Sequence, residues 1–209
     1  ALAMVKGDLN RKTLKENSLF QNMSYESINF WQKYLSPKSM QGLAVYKTKA
    51  MGNDVTALLA SALNQLKNDD FYELYGTTYL RTHQYDNAVQ MFAKVSAGYQ
   101  YFAPENWYGD GENTKLYANP FIETINDFPK KYVTGKASIT KKTFAAEMLR
   151  LQKLTVSDKK NAALYYYRMA NAVYQTGYFG NSWFLISYDW SSYDNSNPAK
   201  YVYDGDYKK

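Results

Sequence analysis

An all-α fold built from antiparallel helix pairs is expected from three features of the chain. Apolar residues recur at three- and four-residue spacing along most of its length, and no stretch alternates β-branched and polar residues between turn dipeptides. Two of the expected helix pairs also repeat one spacing of large and small side chains. The 209 residues are 45% hydrophobic and 21% charged, a composition that folds, and they suffice for a single helical domain over 1–209. With 22 Tyr, 10 Phe and 4 Trp, core and groove alike must be made of amphipathic rings.

The elements follow in order. The N-terminal third carries weaker helical patterns around Lys12 to Phe20 and Tyr25 to Leu35, broken by Ser36-Pro37. Helix pairs fill residues 38–99. From Asp54 to Leu66 a stripe of Val55, Leu58, Leu59, Ala62, Leu63 and Leu66 marks an amphipathic helix, capped by Asn53 or Asp54. Asp69 and Asp70 place carboxylates at the positive end of the next helix, which runs to about Arg81. A turn through Thr82, His83 and Gln84 leads to a second helix carrying Ala88, Val89, Phe92, Ala93 and Val95.

Residues 100–137 break the pattern. Pro104, Pro120, Pro129 and the cluster Tyr-Gly-Asp-Gly at 108–111 predict a long, irregular, aromatic-rich insertion. Helical spacing returns over 138–190. One helix begins near Ser138 or Thr140, carries Phe144, Ala145, Met148, Leu149 and Leu151, and stops near Thr155. Another begins after Ser157-Asp158, runs to Thr176 and is ended by Gly177, and a last helix covers Asn181 to Tyr188. Residues 191–209 read as a polar tail.

Two pairs share their spacing position by position. The first holds Tyr72, Tyr75-Gly76, Tyr79, Tyr85 in the turn, Ala88 nine residues beyond Tyr79, and Phe92 four further on. The second holds Tyr166, Met169-Ala170, Val173, Gly177 and Phe179 in the turn, Ser182 and Ile186. A third, with Gly52 in its turn and Ala57 following, matches only there. This pattern resembles the tetratricopeptide repeat, in which small residues let two helices approach and rings fill the space between stacked pairs. The resemblance implies tetratricopeptide-like antiparallel helix pairs forming a right-handed superhelical array. Gly76 and Ala170, with Ala88 and Ser182 opposite, would be the close-approach positions. Gly76 and Ala170 lie 94 positions apart, which is no multiple of the roughly 34-residue period, so the insertion displaces the register.

The resemblance further implies a non-catalytic scaffold that binds a protein or peptide through a groove lined by the first helix of each pair. The matching positions here are Glu73, Thr77 and Arg81, and Tyr167, Asn171 and Tyr174. Family members that clamp a peptide's terminal carboxylate carry Lys and Asn at such places, whereas Glu73 and Thr77 stand here, which argues against that clamp. A second reading rests on Trp107, Tyr108, Tyr117 and Phe121 in the insertion. Glycan-capture lipoproteins of the SusD type are similar in architecture and stack exposed rings on sugars, which implies glycan binding by Trp107 and Tyr108 in a bacterial outer-membrane uptake system.

Charge and residue chemistry narrow the alternatives. Lys and Arg exceed Asp and Glu by 25 − 19 = 6, a mild bias toward acidic partners. The lysine pairs at 130–131, 141–142, 159–160 and 208–209 are scattered and form no phosphate-tracking stripe, so nucleic acid is not an expected partner. Without cysteine, and with His83 as the lone histidine, neither a metal site nor a nucleophile-and-base pair is expected. Gly109-Asp110-Gly111 lacks the spacing of a phosphate or calcium loop, and no cofactor is expected. Glu105, Asp110 and Glu112 beside Trp107 would be the acids of a glycoside-cleaving site, a reading no spacing supports. No apolar run reaches the roughly 18–20 residues of a membrane-spanning helix. The opening Ala-Leu-Ala-Met reads as a trimmed piece of a longer protein, and Tyr-, Asn- and Lys-rich usage suggests the bacterial periplasm or outer-membrane surface, while the absence of cysteine leaves the redox compartment, and with it the cytoplasm, open.

Overall fold

Ser36-Pro37, which reads in the sequence as a break, starts a helix in the computed structural model. The Ser36 hydroxyl accepts the Ser39 amide at 3.1 Å, and Pro37 takes the first helical position, where its missing N–H costs nothing. The structure describes residues 35–48, 57, 60, 63, 66–101, 119–121, 139–177 and 182–188. Among these the protein is all-α, with no strand. It divides into two compact units, 1–100 and 101–209. Expectations at Lys12 to Phe20, at Tyr25 to Leu35, for most of the insertion and for the 191–209 tail lie outside the described residues.

In the first unit, α1 is Pro37–Thr48, α2 is Asn68–Arg81 and α3 is Tyr85–Phe92. Between α1 and α2, Ala57, Ala60 and Leu63 are helical, in the segment where the Asp54 to Leu66 stripe is expected. Helix α2 is buried over most of its circumference, with Phe71, Leu74, Tyr75, Gly76 and Leu80 inside alongside Asp70, Glu73, Thr77 and Thr78, and leaves Tyr72 and Tyr79 half-buried on its remaining face. Its hydroxyls are satisfied locally: Thr77 donates to the Glu73 carbonyl at 2.9 Å and Thr78 to the Tyr75 carbonyl at 2.8 Å.

The α2–α3 turn is tightly determined. The Gln84 amide bonds the Tyr79 carbonyl at 2.9 Å and the His83 amide the Leu80 carbonyl at 3.0 Å, while His83 has φ 56°. This paired arrangement normally places glycine at the left-handed position. His83 is exposed, and its Nδ1 lies 3.0 Å from the Tyr85 hydroxyl. Past the turn, α2 and α3 meet at their closest where Gly76 faces Phe92: a β-carbon on Gly76 would stand 2.7 Å from two ring carbons. Ala88 and Phe92 are fully buried. Helix α3 ends at Phe92, short of the expected Val95, because the last bonds tighten to three-residue closures at Lys94 and Val95.

The acids at the start of α2 do more than face a helix dipole. Asp69 accepts both the amide and the hydroxyl of Ser96, at 3.0 and 3.1 Å, and Asp70 accepts the Tyr99 hydroxyl at 2.8 Å. The chain leaving α3 is thereby tied back to the head of α2.

The second unit contains α4, Lys141–Ser157, a single 3₁₀ turn at Lys159–Asn161, and α5, Ala162–Thr176. A reciprocal cap between Thr140 and Thr143 opens α4, which buries Phe144, Ala145, Met148 and Leu151. From the insertion, Phe121 packs on Phe144 at 5.5 Å between ring centres. Asp158 accepts from Asn161 at 2.9 Å and from the Tyr165 hydroxyl at 2.7 Å, which fixes the α4–α5 bend. Instead of an α-helix over Asn181 to Tyr188, the described residues there form one 3₁₀ turn, Trp183–Leu185. It is held by the Ser182 amide on the Gln175 carbonyl at 2.9 Å and by burial of Phe184, Leu185 and Tyr188. The Lys141 ammonium sits 3.7 Å above the Tyr188 ring, with the lysine 1% exposed.

A basic aromatic cleft as candidate functional site

Within each unit, the groove positions expected from the repeat pattern differ in exposure. Glu73 and Thr77 are each 1% exposed, and the Thr77 hydroxyl lies 3.3 Å from the Glu73 carboxylate, so both belong to the interior of the first unit. They line no open groove because that side of α2 faces the interior, away from half-buried Tyr72 and Tyr79. Arg81, at the last turn of α2, is half-buried. In the second unit Tyr167 is exposed, Tyr174 is half-buried and Asn171 is buried. Trp107 and Tyr108 lie outside the described residues.

The second repeat pattern also faces the other way. Tyr166 is 61% exposed, Val173 is 39% exposed and Ala170 is exposed, while α5 buries Asn171, Ala172, Gln175 and Thr176. At 100° per residue the buried set and the set Tyr166, Ala170 and Val173 fall on opposite sides of the helix. Ala170 is therefore not a close-approach position, although Ser182 is fully buried.

A different site emerges in the first unit, where the C-terminal half of α1, the entry to α2 and the end of α3 leave a cleft of about 790 Å³. Its floor is apolar and buried, made by Leu66, Phe71 and Tyr75. Tyr72 and Met91 add half-buried walls, and Lys47, Lys67 and Lys94 stand around it. Among the described residues lining the cleft none is acidic. The rings are held by one another: Phe71 meets Tyr72 edge-on at 5.4 Å, and Tyr75 stacks on Tyr79 at 5.0 Å with their hydroxyls 3.2 Å apart. Burial, followed by the bond from Tyr79, pushes the Tyr75 phenol well above its ordinary value.

Each of two lysines is positioned by a separate device. The Lys47 ammonium donates to the carbonyls of Leu63 and Leu66 at 3.0 and 2.8 Å and lies 5.4 Å from the centre of the Phe71 ring. Partial burial lowers its pKa below the usual lysine range. The Lys94 ammonium lies 4.8 Å over the Tyr72 ring. What this arrangement can do is present positive charge beside half-buried Tyr72 and Met91. Among the described residues no cluster of three or more His, Asp or Glu side chains is placed to hold a metal ion. No helix among them is long and apolar enough to cross a membrane.

Sequence reasoning missed this cleft because its lysines come from three separate elements, at 47, 67 and 94, and form no run. Tyr72 and Tyr75 carry the only local signal, as the ring positions of the first repeat pattern. Compared with protein-family models, with curated proteins and with solved structures, the chain matches none.

Proposed function

We propose that this chain is a non-catalytic, tetratricopeptide-like scaffold that holds a peptide or protein segment in the cleft of its first unit. The observation that carries the reading is a ring-floored, lysine-rimmed concavity supported by a tightly packed helix pair. Gly76 and Phe92 fit together at the spacing the repeat pattern requires, and that contact fixes α2 and α3, which contribute the Phe71, Tyr72 and Met91 walls. Concavities that set placed polar groups beside rings are where ligands bind. The binding position is thus moved from the expected Glu73, Thr77 and Arg81 face to the side of α2 that meets α1 and the end of α3.

The test is selection of a displayed random peptide library against the intact chain and against Ala44→Trp, which fills the cleft from its α1 wall. Recovered peptides should bind the parent chain and lose at least about tenfold in affinity for Ala44→Trp, the scale expected when a central pocket is blocked. Peptides that bind both forms equally would remove the cleft from the reading, and a selection that enriches nothing would remove the scaffold itself.

A further inference from the structure

A helix side that faces water normally carries charged residues. The outer side of α5 carries none. At 100° per residue Ala163, Tyr166, Tyr167, Ala170, Val173 and Tyr174 fall within about 120° of one another, opposite buried Ala172 and Gln175. Tyr166 is 61%, Tyr167 54% and Val173 39% exposed, Ala163 and Ala170 are exposed as well, and Tyr174 is half-buried. Leu164, at the edge of the face, is 47% exposed. Arg168, the one charged residue of α5, lies half-buried on the Ala172 side. The face thus offers open ring and apolar surface, continuous over residues 163–174, all of them described.

We propose that this face binds a second copy of the chain, α5 against α5 and antiparallel, in a weak, reversible dimer. Charge favours this occupant. The chain carries a net charge of +6, so two copies repel except where a face carries no charge. Antiparallel pairing sets the two helix dipoles head to tail, and Lys159 and Lys160, exposed just ahead of α5, come beside the negative end of the other copy's helix. Shape favours it too. A two-fold axis between Tyr167 and Ala170 pairs Tyr167 with Ala170, Ala163 with Tyr174 and Leu164 with Val173 of the other copy, which twice sets a ring against a small residue. Two rings more than half exposed, at about 150–250 Å² for a whole ring, and their smaller neighbours supply roughly 500 Å² per copy. The total of about 1,000 Å² is the lower limit for a specific interface and suits a transient pair.

The experiment is sedimentation velocity of the intact 209-residue chain from micromolar to millimolar concentration. A dimer should form reversibly in the upper micromolar range. Tyr166→Lys, an exposed change whose fold is checked by circular dichroism, puts a cation on both faces and should weaken the dimer at least about tenfold. The chain has no cysteine, so single cysteines report the register. Ala170→Cys lies near the axis and should oxidise to a linked dimer. Ala163→Cys, about 16 Å along the helix from its counterpart, should not. Equal linkage at both sites would overturn the antiparallel pairing, and a dimer that Tyr166→Lys leaves unchanged would overturn the choice of face. A monomer at every concentration would overturn the second copy as occupant. The melting temperature of Tyr166→Lys then names the cover: a fall assigns the face to the chain's own residues, and no change assigns it to a different partner.

Discussion

Replacing Gly76 by alanine tests the packing that supports the cleft, because two opposing effects of known size meet at one atom. In a helix interior alanine is favoured over glycine by about 0.8–1.0 kcal/mol. At Gly76 the added methyl would stand 2.7 Å from two carbons of the Phe92 ring and 2.9 Å from a third, against an ordinary carbon contact of about 3.5–4.0 Å. Phe92 is 0% exposed, so its ring has no solvent to swing into, and overpacking a closed core costs about 1–3 kcal/mol. The net expectation is destabilisation of about 1 kcal/mol, with a range from about 0 to 2. Gly42 is the internal control. It lies in α1 with nothing within 4 Å of its would-be β-carbon, and alanine there should stabilise by close to 1 kcal/mol. Urea unfolding followed by circular dichroism measures both, and the signs should be opposite. Phe92→Leu should rescue Gly76→Ala, with a favourable coupling of about 1 kcal/mol in the double-mutant cycle. If Gly76→Ala stabilises as much as Gly42→Ala, the close approach of α2 and α3 is wrong and the argument for a rigid cleft wall falls with it.

Further expectations concern pH, backbone and capping. Burial pushes the Tyr85 phenol up to about 12, so its contribution is complete below about pH 10 and declines between pH 10 and 12, at up to about 1.4 kcal/mol per pH unit. Tyr85→Phe should flatten that alkaline loss, and phenolate absorbance against pH should lose one late-titrating group; an unchanged slope would refute the assignment. His83→Val should destabilise by about 1–2 kcal/mol, since a β-branched residue tolerates φ 56° poorly, while His83→Gly should not. Thermal melts of the two variants decide it. Thr140→Ala removes the reciprocal cap of α4 and should cost about 1 kcal/mol, seen as earlier hydrogen exchange at the Thr143 amide.

The parts of the fold that were legible are those whose signals are local. Asp69 and Asp70, the turn at Thr82 to Gln84 and the interruption at Ser157-Asp158 each act within a few residues, and α2, α3, α4 and α5 lie where those signals put them. Ser36-Pro37 was ambiguous for a physical reason, because proline that ends one segment is also the favoured first residue of the next. Helix α5 shows the limit of periodicity. Tyr166, Ala170 and Val173 have the spacing of a buried stripe, yet Asn171, Gln175 and Thr176 go inside and the tyrosine faces water. A spacing identifies a helix face without saying which face the rest of the protein covers, particularly when the covered one is polar. The same holds at Glu73 and Thr77, which the resemblance to the repeat family assigns to a groove, whereas Thr77 bonds Glu73 and both are buried. The cleft needed three dimensions, since nothing local joins residues 47, 67 and 94.

Lys141 under the Tyr188 ring has a practical consequence. An amine with 1% exposure is shielded from acylating reagents that reach the chain's solvent-facing lysines, such as Lys142, Lys159 and Lys160, within seconds to minutes. Its labelling rate is therefore a clock for how often the segment carrying Phe184, Leu185 and Tyr188 lifts from the start of α4. Mass spectrometry of a single tryptic site would read the opening of the second unit without any introduced probe.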